Sequence, residues 1–126
     1  MKYLIATISV FLLLSCKKES HEKEPLYPKI IVSQTTEQLG KEIFEGKGNC
    51  VACHQPVQKI VGPSMQQIAQ IYKDKNANIV SFLKGESEPI VDPSQYEVMK
   101  TNLAITKTMS DQELEALEAY IYSNLK

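Results

Sequence analysis

The sequence predicts an all-α domain, and three observations indicate this fold class. Helix-start signals, in which Ser or Thr is followed three residues later by Gln or Glu, begin at Thr35, Ser64 and Ser110. The apolar residues after each signal recur three or four positions apart, which places them on one face of a helix. Alternating apolar and polar runs, which are typical of strands, are absent from the sequence. We therefore expect helices joined by loops.

The first predicted helix follows Thr35 and ends at Gly46 and Gly48. Its apolar face is formed by Leu39, Ile43 and Phe44. The second helix follows a turn at Val61-Gly62-Pro63 and is capped by Ser64. Its apolar face is formed by Ile68, Ile71 and Tyr72. Both patterns predict helices that pack through one apolar face.

A third helix is predicted to start at a cap on Asn76 and to end at Gly85, with Ile79, Val80 and Leu83 inward. Pro89 and Pro93 then predict a long irregular loop that runs to about Thr108. The last helix follows Ser110 and has acidic residues in its first turn, which suit the positive end of the helix dipole. Its apolar stripe is formed by Leu114, Leu117, Tyr120 and Ile121.

One short motif in this helical pattern carries chemistry. Residues 50–54 read Cys50-Val51-Ala52-Cys53-His54, a C-x-x-C-H run that is the attachment signal for a c-type haem. Each thiol can form a thioether to one vinyl group of the porphyrin, and the histidine that follows can then bind the iron. The sequence therefore predicts one covalent haem c held by Cys50 and Cys53, with His54 as an iron ligand.

Other readings of the motif fit the sequence less well. A thioredoxin-like redox pair would follow a strand and would have no use for His54. A zinc site would need a second pair of ligands, but the remaining cysteine and histidine are Cys16 and His21. His21 lies in a charged stretch, where we expect a solvated side chain.

The first sixteen residues predict export and lipid attachment. Lys2 precedes an apolar run over residues 4–14, which is too short to span a bilayer but suits a signal peptide. The run ends Leu13-Leu14-Ser15-Cys16, which resembles the bacterial lipobox, so Cys16 is the predicted lipidation site. The alternative is an ordinary signal peptide that happens to contain a cysteine. Because haem c is attached outside the cytoplasm, the export signal and the haem motif support each other.

The predicted organisation is a signal peptide at 1–15, a lipid anchor and flexible tether at 16–35, and one domain at 36–126. The tether is rich in charge and contains Pro25 and Pro28, and an apolar patch at residues 30–32 is expected to pack on the domain. Formal net charge is −1 and falls to about −2 when Lys2 is removed. The chain has no arginine and its lysines are scattered, which argues against nucleic acid binding. It also lacks tryptophan, so a buried porphyrin would supply much of its core.

A second iron ligand is expected from a segment that passes over the far face of the haem. Met109 precedes the last helix and is explained as a hydrophobic staple on Leu114. Met65 begins a helix just after the turn and is explained by packing. Met99 lies in the predicted loop, well after His54, and is the predicted axial ligand.

In these features the chain resembles the class I cytochromes c, and the resemblance covers residues 36–125. Cys50, Cys53 and His54 match the family's attachment motif, and Met99 falls where the family has its distal methionine. The resemblance implies that the carbonyl of Pro63 accepts a hydrogen bond from the imidazole. Two residue pairs match the family's crossing of first and last helices, namely Gly40 with Phe44 and Leu117 with Tyr120.

The resemblance implies a class I cytochrome c fold around one haem and a carrier of single electrons rather than an enzyme. Redox proteins such as a respiratory complex or terminal reductase are the expected partners, and the lipid would hold a monomer on the outer side of a bacterial membrane. Two alternatives stay open at this point. One is a five-coordinate haem with peroxidase or gas-binding activity, and the other is a haem subunit of a larger reductase or oxidase.

Overall fold

Five α-helices and two short 3-10 helices make up the part of the chain that the computed structural model describes, residues 34–125. The predicted signal peptide, the lipidation site Cys16 and the tether up to residue 33 lie outside the described residues. The helices are α1 (Thr36–Glu45), α2 (Met65–Asp74), α3 (Ile79–Leu83), α4 (Tyr96–Thr106) and α5 (Asp111–Tyr122), and the 3-10 helices are Cys50–Ala52 and Pro93–Gln95. Within residues 34–125 no strand forms, and the predicted all-α fold is confirmed.

The first and last helices form the main helix pair of the domain. Gly40 allows the close approach, because a Cβ atom there would lie 1.9 Å from the backbone oxygen of Ala116. Beside this contact the rings of Phe44 and Tyr120 meet edge to face, with centroids 5.2 Å apart. Capping boxes at Thr35 and Ser110 start both helices, as the sequence predicts. Leu117 is buried at the same interface.

The middle helices start and stop through local hydrogen bonds. Ser64 caps α2 by accepting a bond from the backbone N–H of Gln67 at 3.1 Å. The predicted cap of α3 is wrong by two residues, since Asn78 accepts from Ser81 N–H at 2.6 Å. Asn76 instead adopts a left-handed conformation with φ of 48° after α2. Gly85, with φ of 73°, ends α3 as predicted, because glycine adopts this conformation without strain.

The predicted long loop is wrong over most of its second half, which forms α4. Pro93 occupies the first position of a 3-10 turn, where a missing N–H costs nothing, so it leads into a helix rather than preventing one. Good helix formers such as Glu97, Lys100 and Ala104 then favour the helical conformation. No side chain caps the start of α4, so the sequence lacks the usual signal of a helix start there. Met99 consequently lies in a helix and not in a loop.

The core lies between the α1–α5 pair and the shorter helices. The most fully buried large side chains are Met65, Ile79, Leu103, Thr106, Leu114 and Leu117. The hydroxyl of Thr106 donates to the backbone carbonyl of Leu83 at 2.7 Å and so joins the end of α4 to the end of α3. Met109 is buried with Leu114 in the same core, consistent with the predicted staple. Among the described residues no helix is long and apolar enough to cross a membrane.

Candidate functional site

The C-x-x-C-H segment folds as a tight turn between α1 and α2. Asn49 enters it with φ of 50°, and the 3-10 helix Cys50–Ala52 follows. The backbone N–H groups of Cys53 and His54 both donate to the carbonyl of Cys50, at 3.1 and 2.9 Å. These bonds hold the two cysteines and the histidine in one compact turn. No disulfide joins Cys50 to Cys53.

The imidazole of His54 is held in place by the segment that leads into α2. Its Nδ1 lies 2.7 Å from the carbonyl oxygen of Pro63. A carbonyl only accepts hydrogen bonds, so Nδ1 carries a proton and donates, and in the neutral imidazole Nε2 then has a free lone pair. This bond agrees with what the resemblance implies for Pro63. A metal ligand oriented in this way has its tautomer set before the metal arrives.

Gly62 makes room for the ring of His54. A Cβ atom at this position would lie 2.5 Å from Cε1 and 2.8 Å from Nδ1 of the imidazole. The N–H of Gly62 also donates to the carbonyl of Cys53 at 2.8 Å, which closes the turn onto the motif. Gly62 is therefore a part of the site, although the sequence indicates only a turn there.

These residues share one cavity of about 480 Å³. All five predicted ligands and supports line it, namely Cys50, Cys53, His54, Pro63 and Met99. Most of the remaining wall is apolar, with residues from α1 to α5 such as Phe44, Ile68 and Leu117. The chain thus brings together every site residue that the sequence predicts for the domain, around one apolar space.

The lining of this cavity distinguishes the three candidate methionines. Met65 and Met99 both line it, whereas Met109 does not. Met65 is fully buried at the start of α2, and its backbone N–H donates to the carbonyl of Gln55, next to His54, at 2.9 Å. Met99 is half-buried and reaches the cavity from α4. Met65 therefore belongs to the same side of the cavity as His54, and Met99 comes from a different segment.

Two ionisable groups in the wall, Cys50 and Tyr72, are held neutral by burial. Burial raises the pKa of the Cys50 thiol to about 11, and the nearby amide of Asn102 opposes this rise without reversing it. Burial likewise raises the pKa of Tyr72 to about 12. Asn102 was not identified from the sequence, because its place three residues after Met99 matters only once α4 is known to be a helix. At neutral pH neither Cys50 nor Tyr72 adds charge to this cavity.

The side chains present fit a haem c. One apolar cavity is lined by two cysteines that can form thioether bonds, by an imidazole whose Nε2 is available and by the thioether sulfur of a methionine. An apolar cavity of this kind suits the large apolar surface of a porphyrin. Within residues 34–125 no group of three or more His, Cys, Asp or Glu side chains could hold a metal ion. The alternative of a zinc site therefore gains no support from the described part of the chain.

Comparison with known proteins gives a family match and a similar curated protein. Residues 37–124 match the model of the family described as Cytochrome c. Cytochrome c-552 of Nitrosomonas europaea is 45% identical over 40 residues, a stretch that covers 32% of this chain and 38% of that protein. The matched stretch thus spans well under half the length of this curated relative.

Proposed function

Because this chain belongs to the cytochrome c family, we propose that it carries single electrons on one haem c whose iron has His54 and Met99 as axial ligands. The family binds haem c covalently, and its members are in general electron carriers rather than enzymes. The observation that carries the proposal is the single apolar cavity lined by both thiols, the oriented imidazole and Met99. Bound haem c would supply an iron that accepts and releases one electron.

The protein's part in this function is to hold the iron in one coordination state. Cys50 and Cys53 would attach the porphyrin, and the bond from Nδ1 of His54 to Pro63 orients Nε2. The apolar wall excludes water, and little rearrangement of solvent then accompanies a change of charge. A thioether ligand in such a wall favours the reduced state and raises the potential.

Met99 is favoured over Met65 as the second ligand because it comes from a different part of the fold than His54 does. Met65 follows Pro63 by two residues, and its N–H is bonded next to His54, so it belongs to the wall that holds the imidazole. A second ligand has to approach the iron from the other face. Met99 is on α4, which is separated from the motif along the sequence by α2 and α3. Met109 does not line the cavity.

Three alanine variants of the haem-loaded protein test the ligand assignment. Met99→Ala should lose the weak red absorption band that marks sulfur bound to ferric haem, should bind carbon monoxide when reduced and should have a lower potential. Met65→Ala and Met109→Ala should keep the band and lose stability by about 2–5 kcal/mol, because they remove buried side chains. If Met65→Ala loses the band and Met99→Ala keeps it, the assignment is wrong.

The same measurements separate a carrier from the other haem functions. Wild-type protein with both ligands bound should react slowly with carbon monoxide and have little peroxidase activity. Fast binding of carbon monoxide by the wild type would instead support the five-coordinate alternative. If the wild type is purified only as part of a larger complex, this result would support the subunit alternative. We propose a monomer that exchanges electrons with redox proteins of a respiratory chain.

Attachment of the haem has its own test. Acid–acetone extraction should leave the haem on the intact protein, because Cys50 and Cys53 each contribute one covalent bond. Free extraction, or a mass without one haem, would contradict the proposed attachment. Replacement of His54 should prevent maturation or leave a high-spin product.

The lipobox-like end of the predicted signal peptide supports a location in the cell envelope, with the domain facing the periplasm or the exterior. Cys16→Ser should release the protein from membranes or block its processing, because several acyl chains hold a protein firmly and one holds it only reversibly. Soluble wild-type protein with an unmodified Cys16 would contradict this anchor.

A further inference from the structure

One ion pair joins two segments on either side of the cavity. The Nζ atom of Lys59 lies 3.0 Å from Oδ2 of Asp92, across 33 residues of sequence. The hydroxyl of Ser94 donates to the other carboxylate oxygen, Oδ1, at 2.6 Å. Both oxygens of Asp92 are therefore engaged, and its side chain is only 20% exposed. The pair of Lys59 and Asp92 is called the clasp below.

Each partner of the clasp is attached to a different ligand segment. Lys59 forms an isolated antiparallel bridge with His54, so its backbone is tied to the residue proposed to bind the iron. Asp92 lines the cavity and accepts, through its backbone carbonyl, a bond from the N–H of Gln95 at 3.1 Å. That bond closes the 3-10 turn that leads directly into α4 and Met99.

The start of α4 has few other attachments within the described chain. The buried residues of this helix, Leu103 and Thr106, both lie in its second half. None of the other α-helices forms an extensive backbone contact with α4. The first half contacts the rest of the domain through the half-buried Met99 and through the ring of Tyr96, which lies 6.3 Å from that of Phe82, and the clasp lies just before it. The clasp therefore acts on the part of α4 that has the least packing of its own.

We propose that Lys59 and Asp92 are positioning residues that keep the first half of α4, with Met99, against the cavity. The proposal rests on the proposed function for the role of Met99 as ligand. The clasp draws the segment after His54 and the segment before Met99 together, which opposes an outward movement of the methionine. Exposed ion pairs contribute little to global stability, so the effect is a local one.

The other ion pairs of residues 34–125 do not join these two segments. Two of these pairs each lie within one helix, namely Lys41–Glu45 and Lys100–Glu97. The other two each end on the first turn of α5, namely Lys47–Glu113 and Lys84–Asp111. The pair within α1 is a matched control. Lys41 is nearly as exposed as Lys59, at 53% against 57%, and its loss leaves both the clasp and α4 intact.

The test uses the full haem-loaded chain and compares the wild type with Lys59→Gln, Asp92→Asn and the control Lys41→Gln. Amide hydrogen exchange is measured for residues 96–101 and, as an internal reference, for α1 and α5. Binding of imidazole to the ferric protein reports how readily the sixth position opens. A fourth variant, Lys59→Asp with Asp92→Lys, reverses both charges and restores the attraction.

Lys59→Gln and Asp92→Asn should each raise exchange in residues 96–101 and the rate of imidazole binding by about two- to fivefold. Lys41→Gln should match the wild type in both measurements, and the charge-reversed variant should recover most of the protection that the single variants lose. High salt should act on the wild type as Lys59→Gln does, because screening weakens an exposed pair.

Wild-type exchange in residues 96–101 of both clasp variants would overturn the proposal. An equal rise in α1 and α5 would also overturn it, because it would show a general loss of stability. A wild type without the red sulfur band would instead overturn the ligand assignment to Met99. The exchange data decide on the clasp separately from that assignment.

Discussion

Gly62→Ala perturbs the proposed iron ligand without changing any ligand atom. The added Cβ atom would lie 2.5 Å from Cε1 of His54, whereas ordinary contact begins at 3.4 Å, so the ring or the turn has to move by about 0.9 Å. Hydrogen bonds of this kind tolerate a range of only about 0.5 Å. The bond of 2.7 Å from His54 to Pro63 should therefore weaken or break.

The expected free energy follows from three terms. Overpacking costs about 1–3 kcal/mol, and a lost hydrogen bond costs about 0.5–1.5 kcal/mol. The smaller freedom of alanine in the unfolded chain offsets about 0.4–1 kcal/mol. We expect a net loss of about 0.5–4 kcal/mol. We also expect a change in the red band, because the imidazole no longer has its preset orientation.

The assay is denaturant unfolding of the haem-loaded protein, with the absorption spectrum recorded before denaturant is added. Gly40→Ala is the control, because its Cβ atom would clash with backbone far from His54. Both variants should be less stable than the wild type, and only Gly62→Ala should change the spectrum. A Gly62→Ala protein with wild-type stability and spectrum would refute the reasoning that Gly62 is required beside the imidazole.

Three further predictions concern the helices that frame the site. Gly40→Ala should lower the free energy of unfolding, because overpacking of about 1–3 kcal/mol against the backbone of α5 outweighs a helix-propensity gain of about 1 kcal/mol; a raised free energy of unfolding would contradict this. Thr106→Val should cost about 1–3 kcal/mol in thermal unfolding, because the carbonyl at the end of α3 loses its buried donor, and Thr106→Ser should cost less. Hydrogen bonds from Lys47 and Ser110 hold the pKa of Glu113 below its usual value. Its contribution to folding stability is therefore fully present above about pH 4.3, the pKa in the unfolded chain, and is lost as pH falls through the lower pKa of the folded protein. Glu113→Gln should therefore flatten the loss of stability in an acid titration, and an unchanged slope would contradict that role.

Local signals account for the parts of the fold that were predicted correctly. The caps at Thr35, Ser64 and Ser110 involve hydrogen bonds between residues three apart, so the pattern and the structure depend on the same few positions. Prediction failed at Asn76 and at α4. Asn76 and Asn78 are equally suitable cap residues, and only the path of the chain after α2 selects the second. For α4 the two prolines indicated a loop, because a proline that begins a helix and one that prevents it look alike in sequence.

For the site, the sequence by itself determined the chemistry. The spacing of Cys50, Cys53 and His54 is a local property, and it indicated the haem and one ligand before any fold was known. The tertiary structure decided what surrounds these residues. The fit of Gly62 against the imidazole, the position of Met99 on a helix and the contact of Lys59 with Asp92 depend on the relative placement of distant segments. Such contacts leave no periodic or spaced pattern, because they form only when packing of the whole chain brings the two segments together.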